Sequence, residues 1–71
     1  MFIKLHFEDG KEVYVNPDYI LKMRRVIEDN TTIVSFTNDA MQHTSYVCVK
    51  ETPEEIIDLI AVAPFLRSMG L

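Results

Sequence analysis

Glu51-Thr52-Pro53-Glu54-Glu55-Ile56-Ile57-Asp58-Leu59-Ile60 is the stretch from which the fold class is read. Thr52 is a strong N-cap residue and Pro53 suits the first helical position. Glu55 lies three residues after Thr52, the spacing of a capping box. The Thr52 hydroxyl accepts from the Glu55 N–H, and the Glu55 carboxylate accepts from the Thr52 N–H. Glu54 and Glu55 also set negative charge at the positive end of the helix dipole. Behind the cap, Ile56, Ile57, Leu59, Ile60 and Ala63 recur at helical spacing and predict an apolar stripe. Pro64 lacks a backbone donor and predicts that the helix ends or kinks there, with its regular part over residues 52–63.

Upstream of Glu51 the pattern changes to alternation. Ile3, Leu5 and Phe7 point one way, Lys4 and His6 the other, so the chain opens on a strand. Glu8-Asp9-Gly10 is a turn, and Lys11 to Val15 alternates again. A two-residue Asp9-Gly10 turn sets Val13 and Val15 on the face opposite Leu5. A type I turn with a left-handed Gly10 in a bulge instead pairs Phe7 with Lys11 and puts Ile3, Leu5, Val13 and Val15 on one face. A one-residue slip reverses every side chain, so the bulged register is expected.

Asn16-Pro17-Asp18 breaks the strand pattern, and a short helical turn is expected at residues 17–20. A strand follows from about Leu21 to Ile27, with Arg25 out of place among its apolar residues. Glu28-Asp29-Asn30 is a polar turn. Thr31 to Thr37 is β-branched and forms a strand with Val34 and Phe36 on one face and Ile33 on the other. Asn38 to Thr44 reads as a loop. Ser45 to Lys50 is the fifth strand, with Val47 and Val49 opposite Tyr46 and Cys48. The expectation is an α+β, β-rich single domain over residues 1–71. It has a five-stranded, mostly antiparallel curled sheet or small barrel (1–50), a C-terminal helix (52–63) and an apolar tail (64–71).

The order of these features resembles the small flagellar FlbD/SwrD family. The segments that carry the resemblance are Ile3-Lys4-Leu5, Asp9-Gly10-Lys11-Glu12, Val15-Asn16-Pro17-Asp18-Tyr19-Ile20, Thr32-Ile33-Val34-Ser35-Phe36-Thr37-Asn38 and Val49-Lys50-Glu51 through Ile60. The resemblance implies a cytoplasmic, non-enzymatic motility accessory protein. It carries over no catalytic residue and no cofactor.

Composition narrows the function classes. The chain has 71 residues, 48% of them apolar, and a formal charge of −4. That is one domain, and so short a chain buries only about 60% of its unfolded surface. A single cysteine, Cys48, excludes an internal disulfide, and two histidines without a Cys/His cluster give no zinc spacing. Association is then the remaining route to added stability, so a homo-oligomer or a protein partner is expected. The acidic balance disfavours nucleic acid and anionic membranes. Met1 to Phe7 alternates rather than running apolar, so no secretory leader and a cytoplasmic setting are expected.

Candidate sites are few. His6 sits beside Glu12 across the first hairpin, a cross-strand pair rather than an acid–base site. His43 is a polar loop residue, and Cys48 is read as a small strand hydrophobe because no thiolate-stabilising neighbour is visible. No catalytic, cofactor or metal residues are assigned. Lys22, Arg24 and Arg25 are the candidate anion contacts, with Lys22 and Arg24 on one strand face. Phe65, Leu66, Met69 and Leu71 are the candidate partner or oligomer contacts. The leading functional expectation is a non-catalytic protein-interaction module. A small nucleic-acid-binding barrel and a phage-borne inhibitor of a host protein are the alternatives.

Overall fold

The computed structural model describes residues 1–38 and 43–68, with the side chains of 1–37 and 45–62. Five strands and one helix follow in order: β1 (Ile3–His6), β2 (Glu12–Val15), a 3-10 turn (Pro17–Tyr19), β3 (Ile20–Val26), β4 (Thr31–Asn38), β5 (His43–Val49) and α1 (Pro53–Ser68).

The first hairpin adopts the bulged register. Ile3 lies opposite Val15, Lys4 opposite Tyr14, Leu5 opposite Val13 and His6 opposite Glu12. Gly10 has φ +91°, its N–H donates to the Phe7 carbonyl at 2.9 Å, and the Phe7 N–H donates to Lys11 at 2.8 Å. Left-handed φ at this one position lets Ile3, Leu5 and Val15 be buried together.

Asn16 closes the hairpin and starts the 3-10 turn. Its side chain accepts from the Asp18 N–H at 3.0 Å and its carbonyl from Tyr19 at 3.1 Å. Here the expectation of one five-stranded sheet or barrel fails. Among the described residues there are two antiparallel sheets, β1-β2 and β3-β4-β5, and no closed barrel. The turn engages its backbone groups locally, and Pro17 has no donor, so no ladder continues from Val15 into Ile20. The sheets meet instead at a single antiparallel bridge between Phe7 and Val49.

In the second sheet β4 is central. Ile20 lies opposite Phe36 and Met23 opposite Val34, with the register shifting between Ile20 and Lys22. Leu21 is the extra residue and is exposed. The bulge explains why Ile20 and Met23, three apart, both pack against the core. One core joins both sheets: Ile3, Leu5 and Val15 from the hairpin, Val34 and Val49 from the second sheet, and Ile56 from α1.

The capping box forms as read. Glu55 N–H donates to Thr52 Oγ1 at 3.1 Å, and Thr52 N–H donates to Glu55 Oε1 at 3.0 Å. The helix, however, does not stop at residue 63: it passes through Pro64 and reaches Ser68, the last described residue. Proline removes one backbone donor and crowds the carbonyl four residues back, a cost that can kink a helix without ending it. The helical stripe also divides. Ile56 is buried and Ile60 half-buried in the core, whereas Ile57 and Leu59 are exposed. No helix among the described residues is long and apolar enough to cross a membrane.

Candidate functional site

Two features meet where β5 hands over to α1: a polar knot around Lys50 and Glu51, and a groove beside it. The knot begins with His6. Its carbonyl accepts from Lys50 N–H at 2.8 Å, and its own N–H donates to Glu51 Oε1 at 2.9 Å. Its ring Nδ1 lies 2.6 Å from Glu51 Oε2. Both carboxylate oxygens are thus used, and Nδ1 carries the proton that an ionised carboxylate accepts. Burial by itself raises the Glu51 pKa. The side-chain and backbone hydrogen bonds from His6 outweigh it, and the carboxyl lies below its usual range.

The sequence pairs His6 with Glu12. The register agrees, yet the ring turns to Glu51, while Glu12 accepts from Tyr14 Oη at 3.3 Å. Glu51 was missed because it is 45 residues away in sequence. A glutamate directly before a capping box gives no sign of a cross-chain role.

Arg25 completes the knot. Alternation places it on the inner face at the end of β3. There Nη1 donates to Thr32 Oγ1 and to the Lys50 carbonyl, both at 3.1 Å, and Nη2 donates to Asn30 Oδ1 at 2.6 Å. Its half-buried guanidinium is therefore engaged by the chain's own acceptors and not grouped with the other candidate anion contacts. Lys22 and Arg24 do share the outer face, opposite Ser35 and Ile33, and line a depression with them. Cys48, half-buried, lies across from Ile33, which separates it from Arg24.

The groove runs between β1 and α1. It has a volume of about 620 Å³ and is open to solvent. Phe2, Leu59 and Val62 give it apolar walls, and Glu51, Glu55 and Asp58 an acidic rim. Phe2 is 66% exposed, Val62 45% and Leu59 39%, so these are surface groups gathered on one feature. The candidate contacts of the tail are not placed. Phe65 and Leu66 lie in α1 with side chains outside the described residues, and Met69 and Leu71 lie outside the described residues altogether. The His43 side chain also lies outside them. Among the described residues, no three of His, Cys, Asp and Glu converge as metal ligands.

The chain matches no family model, no curated protein and no solved structure.

Proposed function

We propose that this chain is a non-catalytic protein-interaction module whose contact surface is the groove between β1 and α1. The observation that carries the reading is the collection of exposed Phe2, Leu59 and Val62 on one concave feature. Apolar side chains scattered singly are normal on a surface, but gathered in a groove they mark binding. The site's ionisable groups support the same reading: His6 and Glu51 hold each other and the junction, an arrangement that builds structure. The resemblance to the FlbD/SwrD family supplies the setting, a cytoplasmic motility accessory protein acting through a protein partner or as a homo-oligomer. In this proposal Phe65, Leu66, Met69 and Leu71 add apolar contact at the C-terminal end.

A photoreactive amino acid in place of Leu59, expressed in the source cell, tests the reading. A discrete covalent adduct is expected at position 59 and none at Ile27, which is 83% exposed outside the groove. Equal, diffuse labelling at both positions, or none at either, overturns it.

A further inference from the structure

Resting on that reading, we infer that the groove receives an extended peptide as an added strand on the free edge of β1, and that the peptide carries basic as well as apolar side chains. The first part comes from the hydrogen-bond phase of the hairpin. In an antiparallel pair, alternate residues bond to the partner and the others turn their N–H and C=O to the far edge. The Phe7 N–H donates to Lys11, just beyond the two strands, so Leu5 and Ile3 are the β1 residues bonded to β2. Lys4 and His6 therefore face the other edge. His6 shows what that edge does: its carbonyl accepts from Lys50 N–H and its N–H donates to Glu51 Oε1. One step along, the N–H and C=O of Lys4 have no partner among the described residues, and Lys4 lines the groove.

An unpaired edge beside an apolar wall is the geometry of strand addition. Main-chain bonds supply affinity, and the walls read alternate side chains. The charges choose the occupant. The rim holds Glu51, Glu55 and Asp58 against Lys4 and His6. Glu51 is engaged by His6 and Glu55 by the capping box, while Asp58 has no ion partner among the described residues. The whole chain is acidic, at −4, so a second copy meets like charge and a basic segment meets opposite charge.

The test is an amide NMR titration of the full chain with a blocked octapeptide of alternating lysine and valine. Two companions are used, one N-methylated at alternate amides and one with glutamate for lysine. Saturable binding is expected to move the Lys4 amide downfield and slow its hydrogen exchange. N-methylation, which deletes the peptide's donors, weakens binding about tenfold or more, the size of one lost hydrogen bond of about 1.4 kcal/mol. The glutamate peptide does not bind, and Asp58→Lys weakens the lysine peptide several-fold without changing the melting temperature.

Equal binding of the N-methylated peptide, with shifts at Leu59 and Val62 only, overturns strand addition while leaving the groove as a contact surface. No shift at the groove with any probe, together with no adduct at position 59, overturns both readings. Concentration-dependent protection of the Lys4 amide without peptide assigns the edge to a second copy and overturns the peptide proposal.

Discussion

His6 and Glu51, 45 residues apart, are joined at two points: main-chain N–H to Oε1 at 2.9 Å and ring Nδ1 to Oε2 at 2.6 Å. Together with the Lys50 N–H bond to the His6 carbonyl, they lock the end of β1 to the start of α1. This is the join that the single Phe7–Val49 bridge leaves incomplete.

The pH dependence follows from the Glu51 carboxyl, whose folded pKa lies below its ordinary 4.5. A depressed carboxyl pKa contributes stability that is present above the unfolded value and lost as pH falls through the folded one. Denaturant midpoints are expected to fall as pH drops below about 4.5, and to fall less in Glu51→Gln. Glu51→Ala, which strands the His6 donors, costs about 1.5–3 kcal/mol at neutral pH. An identical pH profile in wild type and Glu51→Gln refutes the coupling.

Arg25 is a structural clamp. Arg25→Met removes the tie from the β3–β4 turn to the Lys50 carbonyl and is expected to cost about 2–3 kcal/mol in urea unfolding. Arg25→Lys rescues little, because one ammonium cannot reproduce a forked guanidinium bound to Thr32, Asn30 and Lys50. Arg24→Ala, on the exposed outer face, stays within about 0.5 kcal/mol. Equal losses at positions 24 and 25 contradict this division.

Gly10 isolates a backbone effect. Nothing lies within 4 Å of a Cβ added there, so the cost of Gly10→Ala is purely conformational. Its φ of +91° sets that cost at about 1–2 kcal/mol, and Gly10→Asn should lose less. Thermal melts of the two variants rank them. An alanine variant as stable as wild type means that the hairpin has changed register.

Adjacent isoleucines on α1 give the sharpest contrast in packing. Ile56 is fully buried and Ile57 is 55% exposed. Ile56→Ala is expected to cost about 2–5 kcal/mol, and Ile57→Ala less than about 0.5. Equilibrium unfolding of both variants reads the difference. Comparable losses would mean that α1 is rotated from the orientation described.

How far the fold is legible from sequence varies with the range of the interaction. The Thr52–Glu55 box and the Asn16 turn are each written within four residues, the Gly10 bulge in the apolar alternation from Ile3 to Val15, and each forms as read. Alternation likewise groups Val34 with Phe36 and Val47 with Val49, but Ile33, Tyr46 and Cys48 make the other faces apolar too, and only the structure shows that the valine face is the buried one. Leu21 shows the first limit: a bulge looks like a broken period until the partner strand is known. Pro64 shows the second, since the residues beside a proline do not tell whether one lost bond ends a helix.

Local geometry is legible in the order of residues, because capping, turn chemistry and side-chain period act between near neighbours. Long-range packing sets the rest: β2 and β3 separate, His6 takes Glu51 over Glu12, and Arg25 reaches the Lys50 carbonyl. It also decides that Leu59 and Val62 share a groove with Phe2 and leave the Lys4 edge open. These outcomes depend on which distant segments come within hydrogen-bonding reach, and chain order carries no distance of that kind.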